Sequence, residues 1–110
     1  MISVSTCGSA LLLSVAGDVD AIDAVALRNA IAEALEDAPQ CQVVVDVTRA
    51  TRLSWRSLAL LVDEKALLMR GGGDLRIVIA EDATARSEND LGRLFHLHGS
   101  VEEALAASAG

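Results

Sequence analysis

The spacing of apolar and polar residues differs between segments of this chain, and each spacing predicts a type of secondary structure. Residues Ile2–Thr6 alternate apolar and polar side chains, which is typical of an edge strand. The run Ala10–Ala16 is rich in apolar residues, as expected for a strand buried on both faces, and Gly17 is predicted to end it. From Ile22 to Asp37 apolar residues recur at helical spacing, which predicts an amphipathic helix with Asp20 as its N-cap.

Strands and helices also alternate in the remainder of the chain. Cys41–Val47 is a β-branched run that predicts a central strand, and after a turn Ser54 is expected to cap a second amphipathic helix. Three successive glycines, 71–73, are expected to end that helix as a cap and turn, and not to hold a phosphate. The last predicted elements are a buried strand, a short strand and a closing helix capped by Ser100, at Leu75–Ala80, Arg93–His98 and Val101–Ser108.

The predicted element order is therefore β-β-α-β-α-β-(short α)-β-α. The short helix in brackets falls on Asp82–Leu91, where almost no residue is apolar enough to be buried. Strands separated by helices pair in parallel through right-handed crossovers. The expected fold class is α/β, with a mixed, mostly parallel sheet, helices packed on it, and one domain spanning residues 1–110.

Composition and charge exclude several classes of function. The chain is 52% hydrophobic, so it folds, and its net charge of −7 argues against nucleic-acid binding, which needs clustered Lys and Arg. A basic protein surface is one partner that this charge suits, although ordinary solubility explains it equally well. The apolar run Ala10–Ala16 is too short to cross a membrane, and a signal peptide is not expected, which predicts a cytoplasmic protein.

No pattern of residues indicates catalysis, a cofactor or a metal. Cys7 and Cys41 have no companion ligands at zinc spacing. Because both lie in apolar, strand-like segments, they are expected to be buried, reduced thiols in preference to a disulfide. His96 and His98 are two positions apart on a strand, without a nearby acidic or thiol ligand, and are expected on a solvated face. We find no paired carboxylates and no arrangement of nucleophile, base and orienting acid.

Four segments, in order and at suitable spacing, together resemble one known family. They are Gly17-Asp18-Val19-Asp20, Val43–Val47 with its Asp46, the helix start Leu53–Leu61, and Arg93-Leu94-Phe95 followed by Ser100–Leu105. This combination is similar to the STAS domain, the fold of the anti-sigma factor antagonists, and it covers essentially the whole chain. The resemblance implies a STAS-like domain that works by binding another protein.

The chain departs from the family at the phosphorylation motif. With Asp46 and Leu58 held in register, Ser54 stands where the family has Asp, and Trp55 stands where it has the phosphoacceptor Ser. Ser57 replaces the glycine that closes the motif. The resemblance nevertheless implies a partner-binding surface made of the acidic loop and the helix start, at Asp18, Asp20, Ser54, Trp55, Arg56, Ser57 and Leu58.

Several of these residues allow two interpretations. Ser54 is a helix cap or a phosphoacceptor, and Ser57 is a substitute phosphoacceptor if any residue is modified. Trp55 is an interface anchor or folds back over the sheet edge. Arg56, in the first turn of a helix, pairs with Asp18, Asp20 or Asp46, or meets an acidic partner.

The leading prediction is an anti-sigma factor antagonist-like binding protein that docks a kinase-type anti-sigma factor without the usual serine switch. The alternative is a small STAS subunit of an ABC-type lipid transporter, bound to the transporter ATPase. A small nucleotide-binding or hydrolytic enzyme is a third possibility, which the absence of a catalytic pattern disfavours.

Overall fold

A computed structural model describes residues 2–7, 10–19, 21–38, 40–53, 55–79 and 96–109. Along the chain the elements are β1 Ile2–Cys7, β2 Ala10–Val19, α1 Ala21–Asp37, β3 Gln42–Leu53, α2 Trp55–Arg70, β4 Asp74–Val78, β5 His96–His98 and α3 Val101–Ala109. This order agrees with the predicted one, and the bracketed short helix at Asp82–Leu91 lies outside the described residues. None of the described helices is long and apolar enough to cross a membrane.

The strands form one sheet in the order β1-β2-β3-β4-β5. β1 is antiparallel to β2, whereas the pairs β2–β3, β3–β4 and β4–β5 are parallel. The α/β fold class and the mixed, mostly parallel sheet are therefore confirmed. Each parallel step through α1 or α2 needs a crossover connection, which the helices provide.

The two faces of the sheet bury different residues because side chains alternate along each strand. One face carries the larger core, where strand residues pack against α1 and α2, among them Leu13, Val45 and Ile77 with Leu27, Ile31, Leu61 and Leu68. The other face carries a smaller cluster of Val44, Val78 and Ala104, the last of which lies on α3. Cys41 is a buried free thiol of the larger core, and burial raises its pKa.

Two predicted strand ends were wrong. β2 does not stop at Ala16 but continues to Val19, and β3 does not stop at Val47 but continues to Leu53. The two strands remain paired over this extension, although their register shifts twice. Each bulge inserts one extra residue into β3, and the pairing with β2 resumes beyond it.

The glycines at 71–73 end α2 as predicted, by a Schellman motif. Gly72 has a φ of 93°, in the left-handed region that favours glycine, and its N–H donates to the carbonyl of Met69. The Gly73 N–H donates to the carbonyl of Leu68 at 2.9 Å. A β-carbon on Gly73 would overlap the backbone carbonyl oxygen of Cys41, so the helix end and the start of β3 are packed backbone to backbone.

We expect Gly73→Ala to lower the free energy of unfolding by about 2 kcal/mol or more, because the new methyl group forces the Cys41 backbone to move. The matched control is Gly71→Ala, at an exposed position without a positive φ, which we expect to change stability by less than about 0.5 kcal/mol. Urea denaturation of both variants measures this difference. Equal stabilities would contradict the close packing of Gly73 against Cys41.

Candidate docking surface

The ends of two adjacent strands lie side by side and each leads directly into a helix. Asp18 pairs with Arg52, and Val19 pairs with Leu53, at the last positions of β2 and β3. α1 then begins two positions after Val19, and α2 begins two positions after Leu53. The N-termini of both helices therefore lie at the same edge of the sheet. We name this edge, formed by the ends of β2 and β3 and the starts of α1 and α2, the docking edge.

A first bulge in β3 is held by an aspartate. Ser14 pairs with Asp46, but Ala16 pairs with Arg49, so β3 carries one more residue than β2 between these pairs. The Asp46 carboxylate accepts hydrogen bonds from the Thr48 N–H at 2.9 Å and from the Thr48 hydroxyl at 2.7 Å. The side chain thereby provides an acceptor for a backbone donor at the bulge. The structure thus assigns Asp46 a local structural role that the sequence does not reveal.

A second register shift follows at Gly17. Gly17 pairs with Ala50 and Asp18 pairs with Arg52, so β3 again gains one residue. Gly17 has a φ of 75°, which glycine adopts at little cost. A shift of one residue turns every later side chain to the opposite face, and a second shift restores the original alternation. Beyond the two bulges, β2 and β3 remain paired as far as Val19 and Leu53.

The backbone places most of the predicted partner-binding residues together. Asp18 is the penultimate residue of β2, and the first four residues of α2 are Trp55, Arg56, Ser57 and Leu58. Asp20 and Ser54 lie outside the described residues. The described part of the structure does not include the side chains of the other five, so their roles in docking or phosphorylation remain predictions.

α2 has no acidic residue in its first turn, and Arg56 lies there. A cation at this position opposes the helix dipole, whose positive end is at the N-terminus. Asp46, one of the pairing partners expected for Arg56, has its carboxylate bound to Thr48. The Arg56 side chain lies outside the described part of the structure, so its pairing with an Asp of the chain or with a partner stays a prediction.

A half-buried ion pair fixes α2 to the sheet, and no sequence pattern predicted it. The Lys65 ammonium is 2.6 Å from the Asp74 carboxylate and also donates to the carbonyl of Leu75 at 3.2 Å. The same carboxylate accepts the Leu75 N–H at 2.7 Å. Burial alone would raise the pKa of Asp74, but these hydrogen bonds and the charges of Lys65 and Arg76 outweigh burial and lower it. The pair therefore stabilises the position of α2 on β4.

Glu64, beside Lys65 in α2, has the opposite environment. Its side chain is buried, with 7% of the residue exposed. Burial raises the pKa of Glu64, the positive charge of Arg28 on α1 lowers it, and the negative charge of Asp63 raises it, with a net increase. A buried carboxylate inside an amphipathic helix is unfavourable when it is charged.

We expect the two carboxyls to give opposite pH dependences of stability. The lowered pKa of Asp74 stabilises the fold above its ordinary value of 3.8, and this stability is lost as the pH falls through the folded-state pKa. The raised pKa of Glu64 instead costs stability as the pH rises through and above its ordinary value of 4.5. Asp74→Asn should therefore lose roughly 1–2 kcal/mol at pH 7 and much less in acid, whereas Glu64→Gln should gain stability at pH 7 and not in acid.

Chemical denaturation of the wild type and both variants, from pH 3 to pH 7, measures these differences. Asp74→Asn and Glu64→Gln serve as controls for each other, because each replaces one carboxyl by an amide of nearly the same size. For each variant, the free energy of unfolding is compared with that of the wild type at every pH. Differences that change with pH in the same direction for both variants would contradict the assigned environments.

His98 does not lie on a solvated face, as the sequence suggested. Only 10% of its side chain is exposed, because α3 packs beside β5 and covers it. The Arg76 guanidinium lies 3.3 Å from Nε2 and Glu103 lies 3.4 Å from Nδ1. Since Arg76 can only donate, Nε2 accepts and Nδ1 carries the proton. Both ring nitrogens are therefore occupied, and no three His, Cys, Asp or Glu of the described chain are grouped to hold a metal.

The predicted cap of α3 is present. The Glu103 N–H donates to the Ser100 hydroxyl at 3.1 Å, and the Glu103 carboxylate accepts the Gly99 N–H at 3.4 Å. This is close to a capping box, with the return bond one residue earlier than usual.

A scan against protein families matches residues 2–94 to the model described as "Mlab, STAS domain". The chain belongs to the STAS domain family. No match was found among curated proteins.

Several solved structures that share this fold are named as anti-sigma factor antagonists. One, from Mycobacterium paratuberculosis, is 26% identical, with a TM-score of 0.81 over 100% of this chain and 94% of the other. A putative antagonist from Thermotoga maritima is 12% identical, with a TM-score of 0.81 over 99% and 95% of the two chains. The phosphorylated Bacillus cell fate determinant SpoIIAA is 13% identical, with a TM-score of 0.74 over 97% and 98%. The last two identities are low and show a common fold.

Proposed function

We propose that this STAS protein is a regulatory binding protein that docks a kinase-type anti-sigma factor through the docking edge. The observation that carries the proposal is the pairing of Val19 with Leu53, which brings the starts of α1 and α2 to one edge of the sheet. The 26% identity over the whole chain to an anti-sigma factor antagonist supports the same function. On this proposal the protein acts in the cytoplasm by occupying its partner, and not as an enzyme.

The docking edge suits protein binding because it is built on rigid elements. α2 is held on β4 by Lys65 and Asp74, and Gly73, just after its C-terminal end, packs closely against the Cys41 backbone just before β3. A surface held in its binding conformation loses little entropy when a partner binds. Trp55 and Arg56 lie in the first turn of α2 and belong to residue types that are enriched at binding hot spots.

We further propose that binding is not switched by serine phosphorylation at the usual position. The position that resembles the family's phosphoacceptor is Trp55, and an indole has no hydroxyl to accept a phosphoryl group. SpoIIAA has been solved in a phosphorylated form, and that protein therefore is modified. A phosphorylated serine at this position would add about two negative charges to the binding surface. Trp55 instead offers apolar contact area to a partner.

The proposal predicts that Trp55→Ser weakens capture of a kinase-type anti-sigma factor at least about tenfold, because loss of a central aromatic anchor typically costs 2 kcal/mol or more. The matched control is Met69→Ser, which removes an exposed apolar side chain, 56% exposed, at the other end of the same helix. Calorimetry with the purified partner gives the affinities, and circular dichroism checks the fold. Equal affinities for the wild type and Trp55→Ser would exclude Trp55 as the anchor.

The same purified partner also tests whether phosphorylation switches binding. Incubation with the partner kinase and ATP should leave both the affinity and the intact mass of the wild type unchanged. A stoichiometric phosphate that disappears in Ser54→Ala or Ser57→Ala would contradict the unswitched mechanism while leaving the docking edge in place.

A second candidate is the small STAS subunit of an ABC-type lipid transporter, docked on the transporter ATPase through the same edge. The observation in its favour is that the matching family model is named for Mlab and not for an anti-sigma factor antagonist. Purification of the tagged protein from its own cells separates the two candidates, because one predicts a kinase-type partner and the other an ATPase.

A further inference from the structure

The outer edge of β1 is open in the described part of the chain. β1 pairs with β2 along residues Ile2–Cys7 and is the first strand of the sheet. An edge strand presents backbone N–H and C=O groups that can pair with another strand. Residues 3–6 are exposed, and Val4 has 55% of its surface exposed.

This edge lacks the features that usually prevent strands from pairing. The sequence ISVSTC contains no charged residue and no proline, in a chain whose net charge is −7. Its register with β2 is continuous, whereas the bulges of the sheet's described strands lie between β2 and β3. Charges, prolines and bulges are the common devices that protect an edge. β1 is therefore a regular, uncharged strand made mostly of β-branched and hydroxyl residues.

We propose that β1 pairs antiparallel with β1 of a second copy of this chain, around a twofold axis at Val4. In this register Val4 faces Val4, Ile2 faces Thr6, and Ser3 faces Ser5. Ile2, Val4 and Thr6 pair with the core residues Val15, Leu13 and Leu11 of β2, so they lie on the face that packs against α1. The exposed Val4 side chains of the two copies would cover each other on that face, and the serines would pair on the other.

The strand is suited to a second copy because it is complementary to itself. A twofold contact places each residue opposite an equivalent patch, so a charged strand would bring like charges together. β1 avoids this, and its β-branched residues form favourable cross-strand pairs with one another. The remaining surface carries the net negative charge, so the two copies repel each other at longer range. The dimer is therefore expected to be weak and to tighten as salt screens this repulsion.

This dimer is independent of the proposed function. The docking edge lies at the ends of β2 and β3, and the dimer contact runs along the outer side of β1. Each copy in the dimer therefore keeps its own docking edge, and a double-length sheet would carry two partners.

Sedimentation velocity over a range of protein concentrations tests the inference. Val4→Lys places two positive charges across the axis, and we expect it to raise the dimer dissociation constant at least tenfold. The control Met69→Lys changes a side chain of equal exposure on α2, which contacts β3 and β4, and should leave the constant within twofold. A wild type that stays monomeric at every concentration, or equal weakening by both variants, would overturn the proposal.

A mixture keeps the test decisive even if a single variant is less stable. Val4→Glu alone should also be monomeric, but an equimolar mixture of Val4→Glu and Val4→Lys should form a heterodimer through opposite charges at the axis. Failure of the mixture to associate would overturn the twofold register. Partner capture by Val4→Lys should equal that of the wild type, so a failed dimer and a failed docking function give different results.

Discussion

The parallel pairing of β2 with β3 is the constraint on which the rest of the structure depends. The two strands remain paired up to Val19 and Leu53, across two bulges. The first bulge is held by Asp46 and Thr48, and the second lies at Gly17. Because the strands end at paired residues, the helices that follow must start at the same edge. If either strand ended early, the helix starts would separate and the docking edge would not exist.

The core and the polar contacts hold α2 on the sheet. The strands are rich in Val, Leu and Ile, so the sheet packs tightly against α1 and α2 with few aromatic residues. Lys65 and Asp74 fix the middle of α2, and Gly73 allows its end to approach Cys41. Glu64 opposes this stability because its carboxylate is buried. On the proposed function, the rigid support lowers the entropy lost on binding and leaves specificity to the first turn of α2.

Much of this architecture could be predicted from the sequence, because the period of apolar residues differs between strands and helices. The sequence predicts the element order and the mostly parallel sheet. It also predicts the glycine end of α2 and the Ser100 cap. The extensions of β2 and β3 were not predicted, since a bulge depends on the neighbouring strand as well as on local sequence. The environments of Glu64 and His98 also depend on which elements pack together, and a single sequence does not show this. The candidate site was located by resemblance, and the backbone brings its described positions to one edge.

Hydrogen exchange of the backbone amides tests the docking edge most directly. The protein is measured alone and in complex with a purified kinase-type anti-sigma factor, and the exchange rate of each segment is compared. If the partner binds at the docking edge, exchange is expected to be slower in the complex at the end of β2, the end of β3 and the first turns of α1 and α2, with α3 unchanged. Protection confined to α3 and β5, with the starts of α1 and α2 unaffected, would contradict this proposal.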